Sequence, residues 1–182
     1  MEGQSKVKNM NALALLKKIK LFVFDVDGVL TDGSLILLDN GEMARQMNIK
    51  DGYALQLAIK LGYTILIISG GNSSAVKMRL QKLGIQNIFL GVVDKKAMLL
   101  NFIAEQNFTK EQILYMGDDV PDVLPMKEVG VACAPADAVA EIKSIAHYIS
   151  PAFGGKGCVR DVIEKVLKLN GHWGEPNTVS SI

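Results

Sequence analysis

Cysteine, proline and tryptophan are scarce in this chain of 182 residues, which holds two, five and one of them. The two thiols, Cys133 and Cys158, form neither a disulfide framework nor the clustered spacing of a zinc site, and read as buried thiols in a reducing compartment. An excess of charge is lacking too: 20 Lys and Arg stand against 19 Asp and Glu, a net of +1. Broad electrostatic binding of nucleic acid needs a basic excess, so that class is excluded. No apolar run reaches the ~18 residues of a membrane span. Nor does any segment read as a secretory signal, because the apolar patch Ala12–Leu16 is short and is followed at once by Lys17 and Lys18. The expectation is a cytoplasmic protein with no nucleic-acid and no membrane partner. What is plentiful is apolar side chain, 49% of the residues, which argues against disorder and suffices for one core in a single domain over 1–182.

Three segments are nearly continuous apolar runs bounded by turn signals: Ile19–Phe24, Tyr63–Ile68 and Ile113–Met116. Such runs are expected of parallel strands buried on both faces. Helical spacing follows them at Gly52–Leu61, Ser73–Leu83, Lys95–Glu105, Ala138–Ala146 and Val159–Leu169, and Thr109 with Gln112 reads as a short capping box before Ile113. Alternation of strand and helix predicts a doubly wound, Rossmann-like α/β fold, a parallel sheet with helices on both faces. One stretch breaks it. Around 33–49, Ser34–Leu38, Asp39-Asn40-Gly41 and Glu42–Asn48 read as a β-hairpin inserted after the first strand, with no separate cap domain. The last residues, about 171–182, read as a polar, turn-rich tail.

The first strand ends in Asp25-Val26-Asp27-Gly28, two carboxylates on one side of an extended chain at the end where open α/β sheets place ligands. Asp27-Gly28 alone could simply turn the chain; Asp25 is not needed for that. Burying acids against an apolar run is unfavourable unless something pairs with them, and a hard cation is the natural partner. A second cluster, Gly117-Asp118-Asp119-Val120-Pro121-Asp122, follows another apolar strand. Helix capping accounts for Asp122 and Asp119 but poorly for Asp118. Two strands ending in acids make an oxygen-rich site suited to Mg²⁺ rather than zinc. Ser69-Gly70-Gly71 ends the third strand and can donate to a phosphate oxygen, although Ser also caps helices. Lys95 opens a helix, where a lysine is usually solvated but beside two acid clusters would supply positive charge.

Taken in order, Asp25-x-Asp27-Gly-x-x-Thr31, Ser69, Lys95 and Gly117-Asp118-Asp119-x-x-Asp122 resemble the four motifs of the haloacid dehalogenase superfamily of phosphatases, over about Ile19 to Leu169. The short hairpin, Asn48-Ile49-Lys50-Asp51-Gly52-Tyr53, Gly154-Gly155-Lys156-Gly157-Cys158-Val159-Arg160 and the Gly171-His172-Trp173 tail bring the chain closest to its 3-deoxy-D-manno-octulosonate 8-phosphate phosphatase family. The resemblance implies a Mg²⁺-dependent phosphatase, in lipopolysaccharide precursor synthesis, in which Asp25 is the nucleophile and Asp27 the acid and base. Ser69 and Lys95 would hold the phosphoryl group. The metal would sit on Asp25, the Asp27 backbone carbonyl and Asp118, with Asp119 and Asp122 behind them orienting water or Lys95. It further implies a small-molecule sugar acid phosphate as substrate, met by Asp27, Gly70, Lys95, Asn48, Ile49, Lys50, Asp51, Gly52 and Arg79. A homotetramer whose neighbouring subunits complete each site is implied as well.

The chain departs from the family where Gly71 and Gln56 stand in place of arginines that relatives carry. Relatives acting on the nine-carbon 2-keto-3-deoxynononate 9-phosphate carry Glu at the Gly71 position, so its absence favours the eight-carbon substrate. The rival readings are a phosphatase of that other sugar acid, a receiver-like phosphoacceptor domain, and a non-enzymatic interaction module on the same fold.

Overall fold

The computed structural model describes residues 14–174. Six parallel strands form one sheet in the order β5-β4-β1-β6-β7-β8: β1 is Leu21–Phe24, β4 Thr64–Ile68, β5 Asn87–Phe89, β6 Ile113–Met116, β7 Val131–Ala134 and β8 Tyr148–Ile149. The chain runs outward from β1 through β4 to β5, then returns to the other side of β1 for β6, β7 and β8. The sheet therefore reverses direction of winding between β1 and β6, the place where open α/β sheets hold ligands.

Strand alternation sorts the core into two layers. Phe22, Phe24, Ile65, Ile67, Leu114 and Met116 pack under the helices α1 (Ile49–Lys60), α2 (Ser74–Lys82) and α6 (Cys158–Leu169). Leu21, Val23, Leu66, Ile68, Ile113 and Tyr115 face α3 (Lys95–Gln106), α4 (Val123–Met126) and α5 (Ala140–Ile145). Residues on β1 are wholly buried on both faces, which is why that segment reads as an unbroken apolar run rather than an alternating one. The doubly wound architecture is the one expected. Three strands, β5, β7 and β8, were not anticipated. Two are only two or three residues long and half-buried at the sheet edges, so neither carries the apolar run that marks a central strand.

The inserted hairpin is present and short. Its strands β2 (Ile36–Leu37) and β3 (Met43–Ala44) pair Ile36 with Ala44, and the Leu38 amide donates to the Glu42 carbonyl to close the Asp39-Asn40-Gly41 loop. An antiparallel bridge between Thr31 and Met47 ties its base to the segment leaving β1. Leu35, Ile36, Leu37, Leu38 and Met43 are all exposed. The capping box also forms, with the Thr109 amide donating to Gln112 Oε1 at 3.0 Å. Of the expected tail, 171–174 folds back, His172 lying against Tyr63 and Trp173 against Tyr53. The remaining residues of that tail, and the polar segment at the start of the chain, lie outside the described residues. Among the described residues no helix is long and apolar enough to cross a membrane.

Candidate active site

Register brings the chemistry together. Phe24 pairs with Ile67 on one side and with Met116 on the other, so β1 and β6 end level and β4 runs one residue further, to Ile68. The next residues, Asp25, Ser69 and Gly117-Asp118, consequently emerge at one rim. Lys95 joins them from the first turn of α3, whose start is fixed by Asp94 accepting from the Ala97 amide at 2.9 Å. The result is a cleft of about 450 Å³ lined by Asp25, Asp27, Ser69, Gly70, Lys95 and Asp118, with Asp119 and Asp122 in its wall.

The loop after β1 is shaped by two residues. Gly28 has φ +89°, and a Cβ there would stand 2.0 Å from Asp118 Oδ2, so glycine is required both by conformation and by the close approach of that carboxylate. Thr31, wholly buried, accepts from the amides of Gly28 and Gly33 and donates to the Val26 carbonyl, each at 3.3 Å. Behind this loop the glycine-rich segment before α6 leans on it, the Gly155 amide donating to the Val29 carbonyl at 2.9 Å.

Four charged side chains form the floor. Lys95 Nζ lies 2.8 Å from Asp122 Oδ1 and 3.1 Å from Asp25 Oδ1. Asp122 is saturated: its Oδ1 also accepts from the Tyr115 hydroxyl at 2.8 Å, and its Oδ2 accepts from the Asp118 amide at 3.3 Å. Asp25 Oδ1 and Asp118 Oδ1, in contrast, are buried with no hydrogen-bond partner; the Lys95 contact to Asp25 is an ion pair without hydrogen-bond alignment. Burial, then the neighbouring Asp122, push the Asp25 carboxyl up to about 7, Lys95 only partly opposing them. Burial, followed by Asp25 and Asp122, pushes Asp118 up to about 7 as well. Burial works to lower Lys95, but Asp25 and Asp122 outweigh it and leave the ammonium raised.

Three carboxylates thus share one lysine, and the two with unsatisfied oxygens face each other. Oxygens of Asp25, Asp118 and Asp122 lie within 4.8 Å of one another. The donor set is all oxygen, hard and anionic, and fits a Mg²⁺ ion held by Asp25 and Asp118; Asp122, already committed to Lys95 and Tyr115, is left to fix the lysine. Asp119 is exposed and caps its own turn, accepting from the Val120 amide at 2.7 Å. Ser69 is buried, its Oγ accepting from the Gly71 amide at 3.1 Å, which leaves its hydroxyl hydrogen for a ligand.

The residues expected to meet the sugar divide. Asp27, Gly70 and Lys95 line the cleft; Asn48–Gly52 and Arg79 do not. Asn48 caps α1, accepting from the Lys50 amide at 2.8 Å. Asp51 is buried and accepts from the Arg160 amide at 2.7 Å, at the start of α6, and burial pushes its carboxyl up to about 6. Ile49 and Lys50 are exposed. The Arg79 guanidinium lies over Gly52, 3.1 Å from where a Cβ would stand. Arg160 lies over the rings of Tyr53 and Trp173 and pairs with Glu164. Two participants went unnoticed in the sequence. Tyr115 sits inside an apolar run and looks like core; Arg45 sits on the hairpin, eighteen residues from the Asp27 that it grips at 2.6 Å.

Comparison with known proteins agrees with this geometry. Residues 87–157 match the haloacid dehalogenase-like hydrolase family. The 3-deoxy-D-manno-octulosonate 8-phosphate phosphatase of Haemophilus influenzae is 32% identical over 156 residues, 86% of this chain and 87% of the relative. Among solved structures, a probable YrbI family phosphatase from Pseudomonas syringae superposes with a TM-score of 0.87 at 38% identity, covering 90% of this chain and 93% of the other. The 3-deoxy-D-manno-octulosonate 8-phosphate phosphatase of Moraxella catarrhalis, solved with magnesium, phosphate and KDO, superposes with a TM-score of 0.84 at 33% identity, over 87% of this chain and 91% of that one. This chain belongs to the 3-deoxy-D-manno-octulosonate 8-phosphate phosphatase family of haloacid dehalogenase-like hydrolases.

Proposed function

We propose that the chain is a phosphomonoesterase that releases phosphate from 3-deoxy-D-manno-octulosonate 8-phosphate, a step in lipopolysaccharide precursor synthesis. One observation carries the reading: Asp25 and Asp118 each hold a buried carboxylate oxygen without a hydrogen-bond partner, beside Lys95, in one cleft. Asp25 attacks phosphorus in line, and the bond to the sugar oxygen breaks as an aspartyl-phosphate forms. Asp27 gives the departing oxygen its proton, then takes one from the water that hydrolyses the aspartyl-phosphate. Ser69 and Lys95 hold the phosphoryl oxygens, over which the charge of the transition state is spread. Asp122 and Tyr115 fix the ammonium in place. The side chains of Asp25 and Asp118 and the Asp27 carbonyl would hold a Mg²⁺ ion, which would supply the positive charge that lets a dianion approach a carboxylate. Asp119 orients water at the rim of that site.

Residues 1–182 form one phosphatase domain that works in the cytoplasm, as a homotetramer. The exposed apolar hairpin supports the assembly. Asn48, Ile49, Lys50 and Arg79, away from the cleft of their own subunit, serve the sugar acid in a neighbouring subunit's site, while the buried Asp51 and Gly52 anchor that segment. The test is phosphate release from the eight-carbon substrate and its nine-carbon analogue, with Mg²⁺ or EDTA, by wild type and Asp25→Asn. Metal-dependent turnover of the eight-carbon compound, reduced by at least about 10³-fold in the variant, is the expected outcome. Equal turnover of both sugars would discard the substrate assignment, and full activity of Asp25→Asn would discard the mechanism.

A further inference from the structure

Arg45 stands at the foot of the hairpin, and its guanidinium is fully engaged. Nε donates to Asp27 Oδ1 at 2.6 Å, Nη2 to Asp27 Oδ2 at 3.3 Å and Nη1 to the Met43 carbonyl at 3.2 Å. The side chain is only 9% exposed, whereas Asp27 is 35% exposed on its cleft side. A two-point guanidinium–carboxylate pair fixes the plane of the carboxylate as well as its position, which a lysine cannot do. The space for the pair is made across the cleft. A Cβ on Gly71 would lie 2.8 Å from Asp27 Oδ2 and 3.4 Å from Arg45 Nη2, so a side chain at 71 would push directly on the pair.

We propose that Arg45 is a positioning residue for the reaction: the hairpin, through Arg45, sets the attitude of the Asp27 carboxylate toward the scissile oxygen, and Gly71 is the gap that the pair occupies. This rests on Asp27 serving as acid and base. It gives the hairpin a role within its own subunit's site, separate from any in assembly. One Asp27 oxygen must leave Arg45 to meet the substrate, and the remaining contact then holds the other oxygen.

The experiment is steady-state and single-turnover hydrolysis of the eight-carbon sugar phosphate, with Mg²⁺, by Arg45→Ala, Arg45→Lys, Gly71→Ala, Asp27→Asn and the Arg45→Ala/Asp27→Asn pair. Misplacing a reacting group by about 1 Å lowers rates about 100-fold, so Arg45→Ala is expected to lose about 10- to 100-fold in kcat with KM little changed. Arg45→Lys should recover part of this. Gly71→Ala should lower kcat in the same direction although neither partner is altered. In the double variant the loss should equal that of Asp27→Asn alone, because Arg45 matters only through Asp27. Multiplying losses, a rise in KM alone, or full kcat in Arg45→Ala would overturn the proposal while leaving Asp27 as acid and base. Wild-type turnover by Asp27→Asn would overturn both. Should Arg45→Ala fail to fold, as thermal melting will show, Arg45→Lys and Gly71→Ala decide the matter.

Discussion

A single hydroxyl orders Lys95, the lysine of the proposed mechanism. Tyr115 is wholly buried, and its donation to Asp122 Oδ1 leaves that carboxylate with no free oxygen, so Lys95 has one place to stand. Burial, then Asp122 and Asp25, keep the phenol well above its usual range, so it stays a donor throughout the working pH. Tyr115→Phe preserves the ring and deletes only the donor. A buried hydrogen bond to a charged acceptor contributes about 1.5–3 kcal/mol. We expect a melting temperature lower by several degrees and a several-fold lower kcat, read by calorimetry and steady-state assay. An unchanged melting temperature would show that Asp122 finds a substitute. Asp25, Asp27, Ser69, Lys95 and Asp118 were legible because each follows a strand or opens a helix, where chain order alone predicts placement. Tyr115 was not legible, because its hydrophobic ring satisfies the strand pattern and hides the hydroxyl. Arg45 was not legible either: its partner is distant in sequence, and a surface arginine on a hairpin has the same local signature.

The hairpin is the element whose sequence and surroundings disagree most. Four consecutive apolar residues, 35–38, alternate in and out along a strand, so a two-stranded ribbon with nothing on either face must expose some of them, and here it exposes all. Leu37 is 74% exposed, more than its neighbours Leu35 and Leu38. Pairing with copies of itself is the economical cover for such a ribbon. Leu37→Asp is expected to convert the proposed tetramer to smaller species in light scattering, with each subunit still folded by circular dichroism. A wild-type chain that is already monomeric at tens of micromolar would refute the tetramer. Five helices were readable to within a few residues from their apolar stripes, and α1, α2 and α3 also carry the capping side chains Asn48, Ser73 and Asp94; the one-turn α4 was not read. Edge strands β5 and β8 carry neither signal, and their existence is decided by the partner strand they border.

At the scale of the molecule, the buried acids couple folding to pH and to metal. Asp25 and Asp118 stand near 7 and Asp51 near 6, against ordinary carboxylate values near 4 in the unfolded chain. Between about pH 4 and 7 the metal-free folded chain therefore binds more protons than the unfolded one, and its stability falls as pH rises through that window. Acids paired with lysine or arginine, such as Glu164 and Glu128, are shifted down instead and contribute in the opposite direction. Mg²⁺ needs the ionised carboxylates, so its stabilising effect grows over the same interval. Melting in EDTA should occur at lower temperature at pH 8 than at pH 5, and Mg²⁺ should raise it more at pH 8. The opposite slope in EDTA would mean that the acids are compensated in a way the geometry does not contain.

The reversal of winding at β1 has a consequence for how the molecule comes into being. The two carboxylates proposed to hold the metal, Asp25 and Asp118, are separated by more than half of the described chain, and the stretch between them supplies β4 and β5 on one side of β1. A growing polypeptide can emerge with all the strands of that side before the second carboxylate has been synthesised, although α6, which covers them, comes later still. Asp25 then has no metal to share and no lysine held in place by Asp122. On the proposed mechanism the nascent chain carries its nucleophile early but remains chemically silent, and it becomes competent only when β6 docks against the opposite edge of β1.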